Sequence, residues 1–366
     1  MTGRTDQDFM QLALRLGRRG LGRTSPNPAV GAVVVKDGVI VGRGWTQPGG
    51  RPHAETEALQ QAGEAARGAT LYVTLEPCSH HGKTPPCTDA IIKAGIVRVV
   101  SAIEDPNPEV GGQGHQRLAR AGIAVDIGVG ADQARAAHAG HFRRIRDGRP
   151  HVTLKLAVSA DGKVGLAGRK PVAITGPLMQ AYVHRLRAMN DAILIGIGTA
   201  VADNPSLTCR LSGMAPLSPV RVVLDSRLQL PPESRLAQSA RETPLGVFAG
   251  SEAQSGSGKA LRDLGVEILQ AKQNAEGLDL ADVLHQLSAR GITRVMVEGG
   301  PKVAVSMLQA GLIDEVVLLR GPGTIGEDGI DAIQGIPLDI LTASPYFRET
   351  GRDNVGPDEM VLLERV

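Results

Sequence analysis

The sequence predicts an α/β protein built from two domains. Apolar, β-rich runs alternate with segments of helical periodicity along the chain, which is typical of layered α/β structure. At 366 residues the chain is long enough for two domains, each with its own core. The stretch from Arg146 to Pro150 has the charged, Gly- and Pro-containing composition of a boundary. We therefore expect domains over residues 1–147 and 148–366.

The first domain is expected to open with a helix and a hairpin. Thr5 can cap a helix over residues 5–19, Gly20 can end it, and the apolar residues between them recur at helical spacing. The pair Asp37-Gly38 is a hairpin signal. Strands are predicted at 30–35, 39–41, 69–75, 97–103 and 124–129, and further helices at 53–63, 88–94, 113–121 and 133–146.

The second domain continues the alternation of strands and helices without an internal repeat of the first. The run 191–197 is almost wholly apolar, as expected of a strand buried in a parallel sheet. Asp161-Gly162 and Asp203-Asn204-Pro205 are interpreted as turns. Strands are predicted at 151–159, 191–197, 220–224, 245–249, 294–297 and 315–319, and helices at 179–189 and 301–310.

The composition favours a small-molecule partner over a macromolecular one. Lys and Arg number 40 against 38 Asp and Glu, a formal net charge of +2, which offers no electrostatic basis for binding nucleic acid. Aromatic residues make up 2% of the chain, too few for an extended base-stacking surface. A small phosphorylated substrate remains compatible with this charge.

The sequence favours a cytoplasmic protein without a membrane span. Residues 1–8 are polar and lack the apolar core of a signal peptide, and the chain has no run of about 18 apolar residues. Its three Cys are too few for a disulfide framework. We therefore expect thiolates that serve as metal ligands in a reducing compartment.

A candidate zinc site is carried by His53, Cys78 and Cys87, with Glu55 beside it. One His and two Cys supply three ligands that zinc prefers, and a catalytic zinc keeps its fourth position for water. Zinc nucleobase deaminases combine such ligands with a Glu that moves protons without binding the metal, although eight residues rather than two separate the Cys pair here. We therefore predict a catalytic zinc with Glu55 as the proton shuttle. His53 and Glu55 can share a site only at the start of a helix, because residues i and i+2 diverge on a regular helix.

Several residues near the motif have two interpretations. His80 or His81 could supply a fourth ligand and make the zinc site structural. Asn27, between two Pro, is either a turn residue or a hydrogen-bonding partner for the edge of a pyrimidine. His80 and Lys83 are either solvated or in contact with substrate.

In the second half, two glycine-containing turns follow predicted strands. They are 196–199 and 298–300, and such turns let backbone amides approach phosphate groups. Taken alone they are also consistent with ordinary turns.

These residues together resemble the bifunctional deaminase-reductase family of riboflavin biosynthesis. The resemblance runs through both halves in the family's order and includes the longer spacing between Cys78 and Cys87. It is carried by the stretches 24–28, 52–55, 74–80, 84–87 and 105–108 in the first half and 159–163, 184–188, 196–199, 207–210 and 297–300 in the second.

The resemblance implies a cytidine-deaminase-like three-layer α/β/α domain followed by a dihydrofolate-reductase-like α/β domain. The first would use Zn²⁺ to hydrolyse the 2-amino group of 2,5-diamino-6-(5-phosphoribosylamino)pyrimidin-4(3H)-one. The second would use NADPH to reduce the ribosyl group, giving 5-amino-6-(5-phosphoribitylamino)uracil. A homodimer is also implied.

The resemblance further implies roles for individual residues. Zinc ligands would be His53, Cys78 and Cys87, with Glu55 as the proton shuttle. Contacts to the deaminase substrate would come from Asn27, His80 and Lys83. Contacts to the reductase substrate would come from Arg187, Leu207, Arg210 and Glu298, and contacts to NADPH from Ala157, Thr199, Asp203, Ser226 and the turn from Gly300.

Three departures from the family pattern bear on these expectations. Thr46 stands where the family commonly has His, so one contact in the deaminase pocket is expected to be changed or lost. Pro171 and Ala173 stand where many members have Ser and Trp, which affects nicotinamide stacking and one phosphate contact. Asn204 replaces a second Asp after Asp203.

Two other functions are compatible with parts of the sequence. A deaminase of another free base or of tRNA, with a non-catalytic carboxy-terminal binding module, would not bind NADPH, and the near-neutral charge argues against tRNA. A zinc-stabilised scaffold without enzymatic activity would unfold when the metal is removed.

Overall fold

The structure is a computed structural model that describes residues 5–82, 84–166, 172–251, 253 and 257–366. The chain divides into two compact units, Met1–Gly148 and Arg149–Val366. Within the described residues, no helix combines the length and the apolar character that a membrane crossing requires.

The amino-terminal unit is a sheet with helices packed on it. Its strands are β1 (Gly31–Lys36), β2 (Val39–Trp45), β3 (Thr70–Val73), β4 (Arg98–Ser101) and β5 (Ala124–Ile127). Its helices are α1 (Asp6–Gly17), α2 (Ala54–Ala62), α3 (Cys87–Lys93), α4 (Gln113–Arg120), α5 (Ala131–Ala137) and α6 (Ala139–Asp147). In the described part of the unit these strands form one sheet of order β2-β1-β3-β4-β5, antiparallel on both sides of β1 and parallel from β3 to β5.

Burial on both faces of β1 shows why this unit has three layers. Residues 31–35 are buried along the whole strand, so each face needs its own cover. Helices α1 and α5 contact one another, α2 contacts α3, and α3 contacts α4. The three-layer α/β/α architecture expected for the first domain is confirmed.

Two predictions for this unit can be compared in detail. Thr5 caps α1 through a reciprocal capping box with Asp8, as its position predicted. The single helix predicted at 133–146 is wrong, because the structure has α5 and α6 there. They meet at His138, which leaves helical geometry (φ −98°, ψ 11°) while its buried imidazole lies 3.1 Å from the carbonyl oxygen of Thr74.

The carboxy-terminal unit is built around a larger sheet. Its strands are β6 (His151–Val158), β7 (Lys163–Leu166), β8 (Ala192–Gly196), β9 (Val220–Leu224), β10 (Leu245–Ala249), β11 (Glu267–Gln270), β12 (Gln273–Asn274), β13 (Gly277–Leu278), β14 (Arg294–Val297), β15 (Glu315–Arg320), β16 (Gly329–Asp331), β17 (Phe347–Val355) and β18 (Asp358–Arg365). Its helices are α7 (Pro177–Ala188), α8 (Ile197–Asp203), α9 (Arg235–Gln238), α10 (Ser257–Asp263), α11 (Leu280–Ala289), α12 (Pro301–Gln309) and α13 (Asp339–Thr342).

Nine strands form the main sheet of the described part of this unit, in the order β11-β10-β9-β8-β14-β6-β15-β18-β17. Pairing is parallel from β11 to β15, and β18 and β17 add an antiparallel edge. The strand β8, predicted to be buried in a parallel sheet, has every residue buried. The carboxyl ends of the parallel strands meet at one edge, where open α/β sheets bind ligands.

The turn predicted at Asp161-Gly162 is present and has an additional partner, whereas Asp203 and Asn204 form the end of helix α8. Asp161-Gly162 connects β6 to β7, with Gly162 at φ +80°. Asp161 accepts hydrogen bonds from the backbone N–H groups of Ile325 (3.1 Å) and Gly326 (2.8 Å). A hydrogen bond from the Ser159 hydroxyl, together with these two backbone bonds, lowers the pKa of Asp161. This carboxylate therefore fastens a distant segment to the turn.

Candidate functional site

The zinc ligands predicted from the sequence come together in the amino-terminal unit. His53 is the residue before α2, Cys87 is the first residue of α3, and Cys78 follows β3. His53 Nδ1 lies 3.7 Å from Cys78 Sγ and 3.3 Å from Cys87 Sγ. Tetrahedral zinc with bonds of about 2.3 Å to sulfur and about 2.0 Å to nitrogen would separate such atoms by roughly 3.6 Å. The three side chains are therefore already spaced for a shared zinc ion.

The protonation of the two Cys side chains also favours the binding of a divalent cation. Hydrogen bonds from the Cys87 and His53 side chains lower the pKa of Cys78 to about 4. The Cys87 backbone N–H, at the start of α3, donates to Cys78 Sγ at 3.3 Å. The pKa of Cys87 is raised by its hydrogen bond to Cys78, by burial and by the charge of Glu55. A second thiolate is therefore unfavourable in the protein alone, and a bound cation would offset that cost.

Glu55 lies in the first turn of α2, buried to 3% exposure beside the ligands. His53 has extended backbone geometry (φ −74°, ψ 159°), so it lies outside the helix while Glu55 lies inside it. This is the arrangement that the i, i+2 spacing required. Burial and the nearby Cys78 charge raise the pKa of Glu55 to about 7. A carboxyl group with such a pKa can take up and release a proton near neutrality.

Neither His80 nor His81 joins the ligand group in the part of the chain that the structure describes. His81 instead faces Asp89 at 4.0 Å, with its side chain 73% exposed. The interpretation of a closed structural site with a fourth protein ligand is therefore not supported. His80 is exposed in the loop between the two Cys, and Lys83 lies outside the described residues.

Asn27 and Thr46 have structural partners that the sequence did not reveal. The Asn27 amide Nδ2 donates to the carbonyl oxygen of Gly50 at 2.8 Å, which ties its turn to the loop before His53. The buried Thr46 hydroxyl accepts the backbone N–H of Val30 at 3.0 Å. Thr46 thus supports the backbone at Val30.

Glu76, two residues before Cys78, organises the loop behind the zinc site. Its buried carboxylate accepts hydrogen bonds from four backbone N–H groups, which belong to Asp105, Gly112, Gly114 and His115. Sequence reasoning did not assign this role. The pattern that could have identified it is a single Glu directly after a predicted apolar strand.

In the carboxy-terminal unit a cavity of about 900 Å³ opens at the carboxyl ends of β6, β8, β9 and β14. Six residues predicted from the resemblance line it, namely Ala157, Thr199, Asp203, Ser226, Glu298 and Gly300. Helix α12 begins immediately after Gly300 with Pro301 in its first turn. A Cβ atom at Gly300 would lie 3.0 Å from Thr199 Oγ1, so glycine at this position leaves room for the Thr199 hydroxyl.

A cluster of buried, ion-paired side chains contributes to the lining of this cavity. Arg187 donates two parallel hydrogen bonds to Glu298, at 2.7 Å from Nε and 2.9 Å from Nη2. Lys155 Nζ lies 3.8 Å from the same carboxylate, and the Lys155 and Glu298 side chains are 15% and 8% exposed. Burial alone would raise the pKa of Glu298, but Arg187 and Lys155 hold it below its usual value. Burial lowers the pKa of Lys155.

The remaining predicted reductase residues lie around His184. Burial and the charges of Arg187 and Arg210 lower the pKa of His184, so both guanidinium groups act on one imidazole. Arg210 is exposed, whereas Leu207 is buried with a left-handed backbone (φ +55°). The sequence analysis did not identify Lys155. The pattern that could have identified it is a single Lys within the mostly apolar strand β6.

The departures in this unit have different explanations. Asn204 ends α8 in left-handed geometry (φ +40°), and its Oδ1 accepts the backbone N–H of Arg235 at 2.8 Å. This residue therefore caps a helix. Ala173 is exposed between Val172 and Ile174, which line the cavity. Pro171 lies outside the described residues.

The fold and the two sites define a zinc-dependent hydrolase of the cytidine-deaminase type joined to an α/β domain with a cavity for a nucleotide cofactor. Two family models match the chain: the cytidine and deoxycytidylate deaminase zinc-binding region over residues 3–103 and the RibD C-terminal domain over residues 150–356. The chain belongs to the RibD family of riboflavin biosynthesis proteins.

Relatives align over nearly the whole chain. The riboflavin biosynthesis protein RibD of Escherichia coli (strain K12) is 41% identical over 98% of this chain and 99% of its own. The protein of the same name from Aquifex aeolicus (strain VF5) is also 41% identical, over 98% of both chains. Among solved structures, Acinetobacter baumannii RibD superposes with a TM-score of 0.87 at 36% identity, covering 99% of both chains.

A second solved structure, from Thermotoga maritima, is named as a diaminohydroxyphosphoribosylaminopyrimidine deaminase/5-amino-6-(5-phosphoribosylamino)uracil reductase. It superposes with a TM-score of 0.86 at 36% identity and covers 99% of both chains. The chain is therefore a bifunctional enzyme of riboflavin biosynthesis with deaminase and reductase activities that use zinc and NADPH. The dihydrofolate-reductase-like fold expected for the second domain is confirmed. The alternatives of a non-catalytic carboxy-terminal module and of a zinc scaffold are not supported.

Proposed function

We propose that the amino-terminal domain, residues 1–147, hydrolyses the 2-amino group of 2,5-diamino-6-(5-phosphoribosylamino)pyrimidin-4(3H)-one. The carboxy-terminal domain, residues 148–366, then reduces the ribosyl group of the product to give 5-amino-6-(5-phosphoribitylamino)uracil. The observation that carries the first step is the buried Glu55 beside three converging zinc ligands. The family relationship supplies the identity of the substrates.

In the deamination, His53, Cys78 and Cys87 would hold zinc, which when bound supplies a Lewis acid that activates water at neutral pH. Glu55 takes a proton from the attacking water and delivers it to the ring nitrogen N1, and it then transfers the remaining hydroxyl proton to the departing amine. The C–N bond breaks, the carbonyl forms and ammonia leaves. Burial of Glu55 raises its pKa towards neutrality, which suits a group that takes up and releases a proton. Asn27, His80 and Lys83 are proposed as substrate contacts, with Asn27 acting through atoms other than the amide nitrogen that binds Gly50.

In the reduction, NADPH supplies a hydride when bound. The amides at the start of α12 and the residues Ala157, Thr199, Asp203 and Ser226 would hold the cofactor in the cavity. Reduction of the ribosyl group also breaks its C1′–O4′ bond and requires a proton on the released oxygen. Lys155 and Glu298 both line the cavity and are in contact, so this pair is proposed to supply that proton.

Arg187, Leu207 and Arg210 are proposed to position the phosphorylated end of the reductase substrate. The combined effect of Arg187 and Arg210 on His184 supports a positively charged subsite there. Because the two predicted arginines differ in burial, Arg187 would act mainly by orienting Glu298 and Arg210 mainly by contacting the phosphate.

We also propose a cytoplasmic location and a homodimer. Zinc binding by Cys78 and Cys87 requires reduced thiols, which favours a reducing compartment. The homodimer is carried over from the family resemblance, and light scattering of the purified protein tests it.

Mass spectrometry of the products tests the reaction sequence. Zinc-loaded protein is given the diaminopyrimidine ribotide with and without NADPH. We expect replacement of one amino group by oxygen without NADPH, followed by addition of two hydrogens when NADPH is supplied. Failure to deaminate the ribotide would overturn the proposed substrate, and deamination without subsequent reduction would overturn the second step.

A further inference from the structure

Three loops of the amino-terminal unit converge beside the zinc ligands. The loop before His53 is tied to the Asn27 turn by the Asn27 to Gly50 hydrogen bond of 2.8 Å. The same loop is tied to the segment between Cys78 and Cys87 by Arg51, whose Nη1 donates to Thr84 Oγ1 at 2.5 Å. Arg51 therefore bridges two of the segments that provide zinc ligands.

Within the described residues, the Arg51 guanidinium has no carboxylate partner. Among the described residues, its hydrogen bond to Thr84 is the contact found, and no carboxylate lies within ion-pair distance. Two other arginines of this unit differ, because Arg98 pairs with Asp6 and Arg117 pairs with Asp89. Arg51 stands two residues before the zinc ligand His53.

The chemistry of this group matches a phosphate ester. A guanidinium carries five N–H donors in a planar fork, and Thr84 uses one of them, so a pair of donors remains for two phosphate oxygens. Thr84 also restricts the rotation of the long side chain, which reduces the entropy lost when a ligand binds. Thr46 does not assist, because it is buried and its hydroxyl both accepts the Val30 N–H and donates to the Val30 carbonyl oxygen.

We propose that Arg51 binds the phosphate group of the deaminase substrate and that Thr84 holds the guanidinium in place. This inference rests on the proposed function, which makes the substrate a ribosyl phosphate. Arg51 then selects phosphorylated substrates at the first step, independently of the reductase domain.

The test compares two substrates that differ only in the phosphate: the diaminopyrimidine ribotide and the corresponding riboside. Loss of a charge-assisted bidentate contact is worth roughly 10- to 100-fold in affinity. For Arg51→Gln we expect KM for the ribotide to rise by about that factor with kcat little changed, and no change with the riboside. Arg51→Lys should restore part of the loss, and Thr84→Val should raise KM for the ribotide by a smaller factor. Inorganic phosphate should inhibit ribotide deamination competitively in the wild type and weakly in Arg51→Gln.

The controls separate this role from a structural one. Zinc content per chain and reduction of the already deaminated ribotide should be unchanged in every variant, and the exposed Arg120→Gln should behave as wild type. If Arg51→Gln reduced kcat/KM for deamination equally with the ribotide and the riboside, the inference would be overturned, because Arg51 would then only hold the Thr84 segment. An unchanged KM for the ribotide in Arg51→Gln would also overturn it while leaving the proposed function intact. A wild-type enzyme that deaminates neither compound would overturn both.

Discussion

Gly44 on β2 lies so close to α2 that a Cβ atom there would stand 2.1 Å from the carbonyl oxygen of Ala54. Ala54 is the residue between the zinc ligand His53 and the proton shuttle Glu55. The distance between β2 and the start of α2 therefore determines where both side chains stand. The absence of a side chain at Gly44 is what permits this approach.

Substitution of Gly44 by Ala should damage the deaminase selectively. Relief of the contact requires α2 to move, and overpacking of this kind costs about 1–3 kcal/mol of stability. We expect Gly44→Ala to lower deaminase kcat/KM at least about 10-fold, since small misplacements of catalytic groups are costly. Reductase activity should persist. The matched control is Gly246→Ala on β10, where the new atom would meet its nearest neighbour at 3.7 Å. A fully active Gly44→Ala deaminase would contradict the packing argument.

Substitution of Glu55 by Gln should separate proton transfer from metal binding. A positioned acid–base group contributes about 10²- to 10⁴-fold to rate, so kcat for deamination should fall by that range. Zinc content should remain one ion per chain by elemental analysis, because Glu55 is not among the grouped ligands. The exposed Glu64→Gln serves as the control. Wild-type deamination by zinc-replete Glu55→Gln would rule out the assigned role.

Removal of zinc should abolish one activity and spare the other. Only the amino-terminal unit contains the His53, Cys78 and Cys87 group within the described residues. Dialysis against a chelator, or Cys87→Ser, should therefore eliminate deamination while reduction of the deaminated ribotide continues. Far-UV circular dichroism should change little. Global unfolding on chelation would instead indicate a structural zinc.

Substitution of Lys155 by Met should impair reduction without loss of the fold. Met has a similar length and removes a buried charge, while Glu298 keeps its two hydrogen bonds from Arg187. We expect kcat for reduction to fall at least about 100-fold, with NADPH binding measured by fluorescence nearly unchanged. Lys272→Met, at a side chain that is 79% exposed, is the control. Unaltered reduction by Lys155→Met would remove Lys155 from the proton pathway.

Acid should weaken the carboxy-terminal unit through Asp314. Burial alone would raise the pKa of this carboxyl, but hydrogen bonds from Arg149 (2.6 and 2.8 Å) and nearby positive charge hold it below its usual value. Because the folded pKa is the lower one, the stabilisation is fully present above the unfolded pKa of about 3.9. It is lost as pH falls through the folded pKa.

Asp314→Asn should therefore cost about 3–5 kcal/mol at neutral pH, since it removes the carboxylate that pairs with the buried guanidinium of Arg149. Thermal unfolding of the wild type and the variant, recorded between neutral pH and about pH 3, measures the difference. The two curves should converge as the pH decreases. A constant difference across this range would show that ionisation of Asp314 is not the cause.

Local patterns in the sequence were sufficient for much of the fold. The strand β8 is a continuous apolar run, and the helix α1 has its cap and its periodic face within a short segment. The hairpin β17–β18 was not predicted, because most of β17 is exposed and polar and lacks the alternation by which strands are detected. Its strand character comes from pairing with β18 along its length.

The sequence by itself determined the chemistry at the zinc site, because the identities and spacing of His53, Cys78, Cys87 and Glu55 carry that information locally. Only the tertiary structure decided which groups surround it. Arg51 is hydrogen-bonded to Thr84, which lies 33 positions away in the sequence. Arg187 is hydrogen-bonded to Glu298, which lies 111 positions away. Whether such distant residues come into contact depends on how the strands and helices pack. Burial of polar groups then determines their pKa values and partners, and neither is visible until the chain has folded.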